Sequence, residues 1–314
     1  MTSERLLLGA HVGQQNLAMD DLRALWCHLD NAGLDWISLW DHLYEAPNQG
    51  GVLPHYEAVA ALAALACDTT NARLGCLVFY VGYRNPGLLA RAAVTIDHLS
   101  GGRFELGLGA GWHEWEAEAY GYDFPGVGAR IAMLDEATQV ITGLLTNERT
   151  DFEGAHCRAS NASLIPKGFN GHLPLWIGGK GEKRTLRLAA RHADGWNAAY
   201  VSAEEFAHLN GVLDHWCEVE GRDPADIERS VNLMFELGSD AADVARRGAE
   251  FTEQWGAMAD RVRNGALVGT PDMAAEQILA YREAGADMVN IALRAPVNAD
   301  VLDAYLFDVV PKLR

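Results

Sequence analysis

Asp41 and His42 are adjacent residues of this 314-residue chain equipped for acid–base chemistry. They end the run Trp36-Ile37-Ser38-Leu39-Trp40. An imidazole exchanges a proton near neutral pH, and a carboxylate beside it can set its orientation. On residue type alone the better reading of His42 is a strand-end cap tied to a loop. His113 and Glu114 are further candidates for proton transfer. The segment His113-Glu114-Trp115-Glu116-Ala117 is no zinc helix, because Ala117 stands where the second His would be, and no metal is expected.

Two glycine-rich stretches suggest ligand cradles. The alternating apolar residues Phe104, Leu106 and Leu108 run into Gly107, Gly109 and Gly111, so this strand end carries no side chains to bar a ligand from its backbone. The spacing lacks the final x-x-Gly of a dinucleotide fingerprint. Gly178-Gly179-Lys180-Gly181 precedes a helix, with Arg184 and Thr185 close behind. Free amides at a helix N-terminus suit an anion, and this loop is the expected phosphate cradle. It is not a Walker loop, because Gly-Lys-Ser/Thr is missing. Trp40 and Trp112 are candidates to stack on or wall a ligand, and Trp196 and Asn197 end another apolar run. Tyr83-Arg84-Asn85-Pro86 reads evenly as a helix opening with Arg84 in a salt bridge, or as a ligand contact.

Short apolar runs alternating with amphipathic stretches must position these groups. Strands are predicted at Leu6–Val12, Asp35–Trp40, Arg73–Tyr80, Arg103–Gly109, Pro174–Gly178, Gly195–Ala198, Ser230–Leu237 and Met288–Leu293. Helices are predicted at Asp20–Asn31, Tyr56–Asp68, Pro86–Leu99, Gly128–Leu145, Glu182–His192 and Ala203–Glu220. Ala241–Arg263, Pro271–Ala284 and Asp300–Leu313 follow, and Asp151–Arg158 reads as a short extended excursion. An open doubly wound sheet shares this rhythm, but eight strand–helix units without a linker favour one (β/α)8 TIM barrel over residues 1–314. Its insertions fall at about 110–127, 150–172 and 240–266.

Net charge is −18, from 25 Lys+Arg against 43 Asp+Glu, which excludes the basic face that nucleic acid needs. No apolar run reaches membrane-span length and the N-terminus lacks a signal-peptide pattern, so a cytoplasmic protein is expected. Cys27, Cys67, Cys76, Cys157 and Cys217 are scattered, odd in number and never in a Cys-x-x-Cys spacing, and disulfides are not expected.

Trp36–His42, Tyr83–Pro86, Asp97–Trp112, Ile177–Thr185 with Ala193–Asn197, and Val268–Pro271 together resemble the bacterial luciferase-like superfamily, in its deazaflavin (coenzyme F420)-dependent oxidoreductase branch. The resemblance implies hydride transfer between the cofactor's C5 and a small organic substrate. It implies His42 as proton-transfer residue oriented by Asp41, which also meets the cofactor. It implies a bulge at Cys76, Leu77 and Val78, often with a non-prolyl cis peptide, supporting the ring, with Gly107 and Gly109 beside it. Gly178, Gly179, Lys180, Gly181, Arg184 and Thr185 would then hold the phosphate or tail, and Trp40, Trp112, Trp196 and Asn197 the substrate. Relatives that oxidise a sugar phosphate carry a catalytic Glu directly after the glycine series, where this chain has Trp112. An FMN-dependent monooxygenase and a non-catalytic flavin-binding barrel are the alternatives. A homodimer is expected from the resemblance, and the loops at 46–53, 110–127 and 240–266 are expected to select the substrate.

Overall fold

Leu8, Ala10 and Val12, then Ile37 and Leu39, point outward from neighbouring strands and are fully buried beneath Leu22, Trp26 and Leu29 of the helix Met19–Asn31. Period-two alternation meeting a helical stripe produces this layer of helices over strands, repeated around the molecule. The computed structural model describes residues 5–46 and 50–314. Its strands are β1 (Leu7–Val12), β2 (Trp36–Leu39), β3 (Arg73–Cys76), β4 (Phe79–Tyr80), β5 (Phe104–Gly109), β6 (Thr150–Glu153), β7 (Arg158–Ala162), β8 (Leu175–Gly178), β9 (Gly195–Ala199), β10 (Glu228–Leu237), β11 (Ala266–Gly269) and β12 (Met288–Leu293). The parallel order β1-β2-β3-β5-β8-β9 is closed by β9 on β10, β10 on β12 and β12 on β1. The expected barrel of eight parallel strands is therefore the fold.

Several stretches differ from the sequence reading. The region after Thr150 is an antiparallel hairpin of β6 and β7, where a short extended excursion was expected. β11 lies outside the ring, parallel to β10; four residues between helices carry too short an alternation to stand out. The 241–263 stretch breaks into the helices Ala241–Trp255 and Ala259–Arg263, because Gly256 turns the chain with φ +50°. The final helix similarly loses regular geometry after Ala304, ahead of Pro311, which has no N–H to donate.

Alternate residues of the strands fill the barrel interior. At its N-terminal end Arg73 pairs with Glu105 at 2.5 Å and Glu228 at 3.0 Å. Trp36 and Trp176 pack 5.4 Å apart beside them, with the Trp176 indole donating to Glu105. Above this plug lies a polar layer in which Asn197 donates to Ser230 and Asn232, and Asn290 also donates to Asn232. The C-terminal ends of the strands carry His11, Trp40, Val78 and Arg294, and in this fold ligands bind at that rim. No helix among the described residues is long and apolar enough to cross a membrane.

Candidate active site

His42 stands three residues beyond the end of β2, so its place on the rim is set by the barrel. Its Nδ1 lies 2.7 Å from Oε1 of Glu116, a buried residue of the short helix Glu114–Ala119. Glu116 also accepts from the Tyr83 hydroxyl at 2.9 Å and from the Leu43 and Tyr44 N–H groups at 2.9 and 3.2 Å. Burial pushes the Glu116 carboxyl up, but the bonds from His42 and Leu43 outweigh it and hold it below the usual carboxylate range. An ionised carboxylate only accepts, so Nδ1 carries the proton of this bond and Nε2 is the ring nitrogen that it leaves unengaged.

Asp41 was expected to orient His42 and does not. Its Oδ2 accepts from Arg84 Nη1 at 2.6 Å and from the Tyr80 N–H at 3.2 Å. Its Oδ1 is buried with no partner among the described residues. Burial raises the Asp41 carboxyl against the pull of Arg84. The structural role foreseen for Arg84 is thus present, since it also binds Glu57. Sequence reading passed over Glu116, which is 74 positions from His42 and falls in the expected insertion at 110–127, where no helix was predicted.

His113 is buried with its ring 5.7 Å from that of His42, and desolvation lowers its pKa. Glu114, two positions before Glu116, is exposed instead. Trp112 projects 60% exposed beside the His42 ring at 5.2 Å. Trp40 is buried, packs against His11 at 5.3 Å and donates from its indole to His55 at 3.2 Å.

Gly107 and Gly109 were expected to leave strand backbone open to a ligand. Their space is already taken: a Cβ at Gly107 would collide with the Cys76 carbonyl, and one at Gly109 with the Val78 side chain. The strand breaks between β3 and β4, where the Leu77–Val78 peptide is cis. A Cβ at Gly178 would also meet Val78, at 2.6 Å. These glycines therefore seat the bulge, and it is Val78 that sits between Gly109 and Gly178.

Beyond β8, Gly179 takes φ +128° and its N–H is bound by Asn197 O at 3.1 Å. The Lys180 and Gly181 N–H groups have no acceptor among the described residues. Gly181 O accepts from Thr185 N, which opens the helix Thr185–His192 three residues later than expected. Lys180 pairs with Glu205 at 2.9 Å, and Arg184 is exposed and donates to Gly128 O at 3.1 Å. Trp196 faces away from the mouth: it stacks on Phe206 at 5.4 Å within the strand–helix core, and its indole ties down Gly179 O. Asn197 lies in the interior polar layer. Part of the expected substrate loop at 46–53, residues 47–49, lies outside the described residues.

The likeness to known proteins spans the chain. It is 27% identical, over 98% of both chains, to an F420-dependent glucose-6-phosphate dehydrogenase of Beutenbergia cavernae. Among solved structures, an F420-dependent secondary alcohol dehydrogenase superposes with a TM-score of 0.85 at 18% identity, covering 99% of each chain. The monooxygenase RslO1 of Streptomyces bottropensis superposes at 0.80 and 19% identity, covering 98% of this chain and 100% of its own. The family model described as luciferase-like monooxygenase matches residues 7–288, and the chain is accordingly an enzyme of the luciferase-like monooxygenase family.

Proposed function

We propose that the protein is an F420-dependent oxidoreductase that moves a hydride to or from a small organic substrate, with His42 exchanging the accompanying proton. The clamp of His42 by buried Glu116 carries this reading. It leaves Nε2 as the ring nitrogen free to take a proton, at the end of a barrel strand. The full-length similarity to F420-dependent relatives supports the cofactor.

The residues at the rim fit such a group. Val78, braced by Gly109 and Gly178, offers an apolar support for a flat ring. Asp41 Oδ1 is a buried acceptor without a donor, suited to a ring N–H. The amides of Lys180 and Gly181, with Arg184 nearby, suit a phosphate. Bound F420 supplies the hydride acceptor or donor at its C5. Glu116 keeps His42 in one tautomer, and Tyr83 keeps Glu116 in place. Trp112 and His113 wall the His42 side of the pocket.

Equilibrium titration of the purified protein with F420 and with FMN tests the cofactor. F420 should bind at least about tenfold tighter, the equivalent of one charge-assisted hydrogen bond. Tighter binding of FMN, with oxygen-dependent turnover, would overturn the reading in favour of a monooxygenase.

A further inference from the structure

Arg294 follows β12 at the barrel mouth and is built into a cage. Its guanidinium lies 4.6 Å from the Trp40 ring centroid, 5.2 Å from that of Trp255 and 5.8 Å from that of Tyr200. Nη2 donates to the Tyr200 hydroxyl at 3.2 Å. Among the described residues, Nε and Nη1 are buried with no acceptor and no carboxylate comes within ion-pair distance of the guanidinium. Nearby Glu236 feels this charge without pairing to it. A guanidinium held by three aromatic faces keeps its unused N–H groups available to bind an oxyanion.

Tyr200 is an independent sign that this corner is constructed. It follows β9 with φ +57°, a left-handed backbone that an aromatic residue rarely adopts. Gly265 packs directly on its backbone, where any Cβ would collide with Tyr200 Cα. Residues held this way concentrate at ligand sites. Trp255 ends its helix just before the Gly256 turn; its half-buried ring packs on Phe251 at 5.8 Å, while its chain neighbours are exposed.

We propose that Arg294 is the specificity residue for an oxyanion, a carboxylate or phosphate group, on the substrate, admitted when the Trp255 ring swings aside. The substrate body then lies over Trp40, whose ring centroid is 6.3 Å from that of His42. This assignment rests on the mouth being the reaction site, as proposed above. Arg263 stands near the same corner together with Glu236, while Arg247 is already paired with Asp243 at 3.1 Å.

Benzoate and its uncharged isostere benzamide probe the site, read by tryptophan fluorescence and calorimetry on the F420-loaded and the unloaded protein. Benzoate should bind about tenfold tighter or more. Arg294→Met should bring the two probes together, and Arg294→Lys should keep part of the preference, confirming that the variants remain folded. Equal binding of the probes by the wild-type chain, failure of both to bind, or a preference surviving Arg294→Met would overturn the proposal. Loss of F420 affinity in Arg294→Met would assign the residue to the cofactor's own phosphate and overturn it too. Should F420 fail to bind the wild-type chain, the cofactor reading falls alone, because the probe ratio is still measured on the unloaded protein.

Discussion

His42 reaches the rim with one ring nitrogen already engaged, so its chemistry is that of the other. His42→Ala should lower turnover by about 10²–10⁴-fold, the usual range for losing a positioned acid–base group, and leave F420 affinity unchanged. A fall in affinity equal to the fall in turnover would show that the ring only shapes the pocket. Glu116 makes a stability prediction of opposite character. Its folded pKa is lowered, so its ionised form stabilises the fold above the ordinary Glu range, and that contribution disappears as pH falls through the lowered value. Glu116→Gln should therefore cost about 2–3 kcal/mol at pH 7. Urea denaturation at stepped pH should show the gap between the two proteins closing below about pH 4.

Among the elements, the break between β3 and β4 has the firmest consequences. It needs empty space on β5, which Gly107 and Gly109 provide. Gly107→Ala should destabilise by about 1–3 kcal/mol and weaken cofactor binding, since the Cys76 carbonyl cannot retreat without moving Val78. Gly211→Ala is the control: it lies inside the helix Ala203–Glu220 with nothing near its absent Cβ, and should stabilise by about 0.5–1 kcal/mol. Denaturant midpoints of the two variants should move in opposite directions. The barrel strands were legible because each joins strict alternation to a following helical stripe, as Leu8, Ala10 and Val12 do with Leu22, Trp26 and Leu29. The β6–β7 hairpin was not, since its side chains are largely exposed and give no apolar alternation. At the site, His42 and the 178–181 loop announce themselves by residue type and by ending a strand. Glu116 and Arg294 gain their meaning only from neighbours brought together by barrel closure. Trp196 shows the converse: strand ends alternate, and a residue one position from the interior faces the helices.

At the scale of the molecule, the rim holds several imidazoles away from water, and that makes stability depend on pH. Burial, helped by Arg294, lowers the His11 pKa to about 3, and burial lowers that of His55 to about 4. Both groups are neutral in the folded state across a range where the unfolded chain protonates them. Their contribution is intact above about pH 6.5 and erodes as pH falls, each by about 1.4 kcal/mol per pH unit, until the folded values are reached. Thermal unfolding between pH 7 and 4 should show this slope, and His11→Asn should flatten it by one histidine's share. An unchanged slope would mean that His11 is already charged when folded.

The ion-paired plug of Arg73, Glu105 and Glu228 beneath Trp36 and Trp176 makes the barrel a well with a sealed floor. Whatever seats deepest must go in first and come out last. Steady-state turnover should then obey a compulsory order, with a dead-end competitor of the outer reactant acting uncompetitively against the inner one, and a random-order pattern would reveal a second doorway.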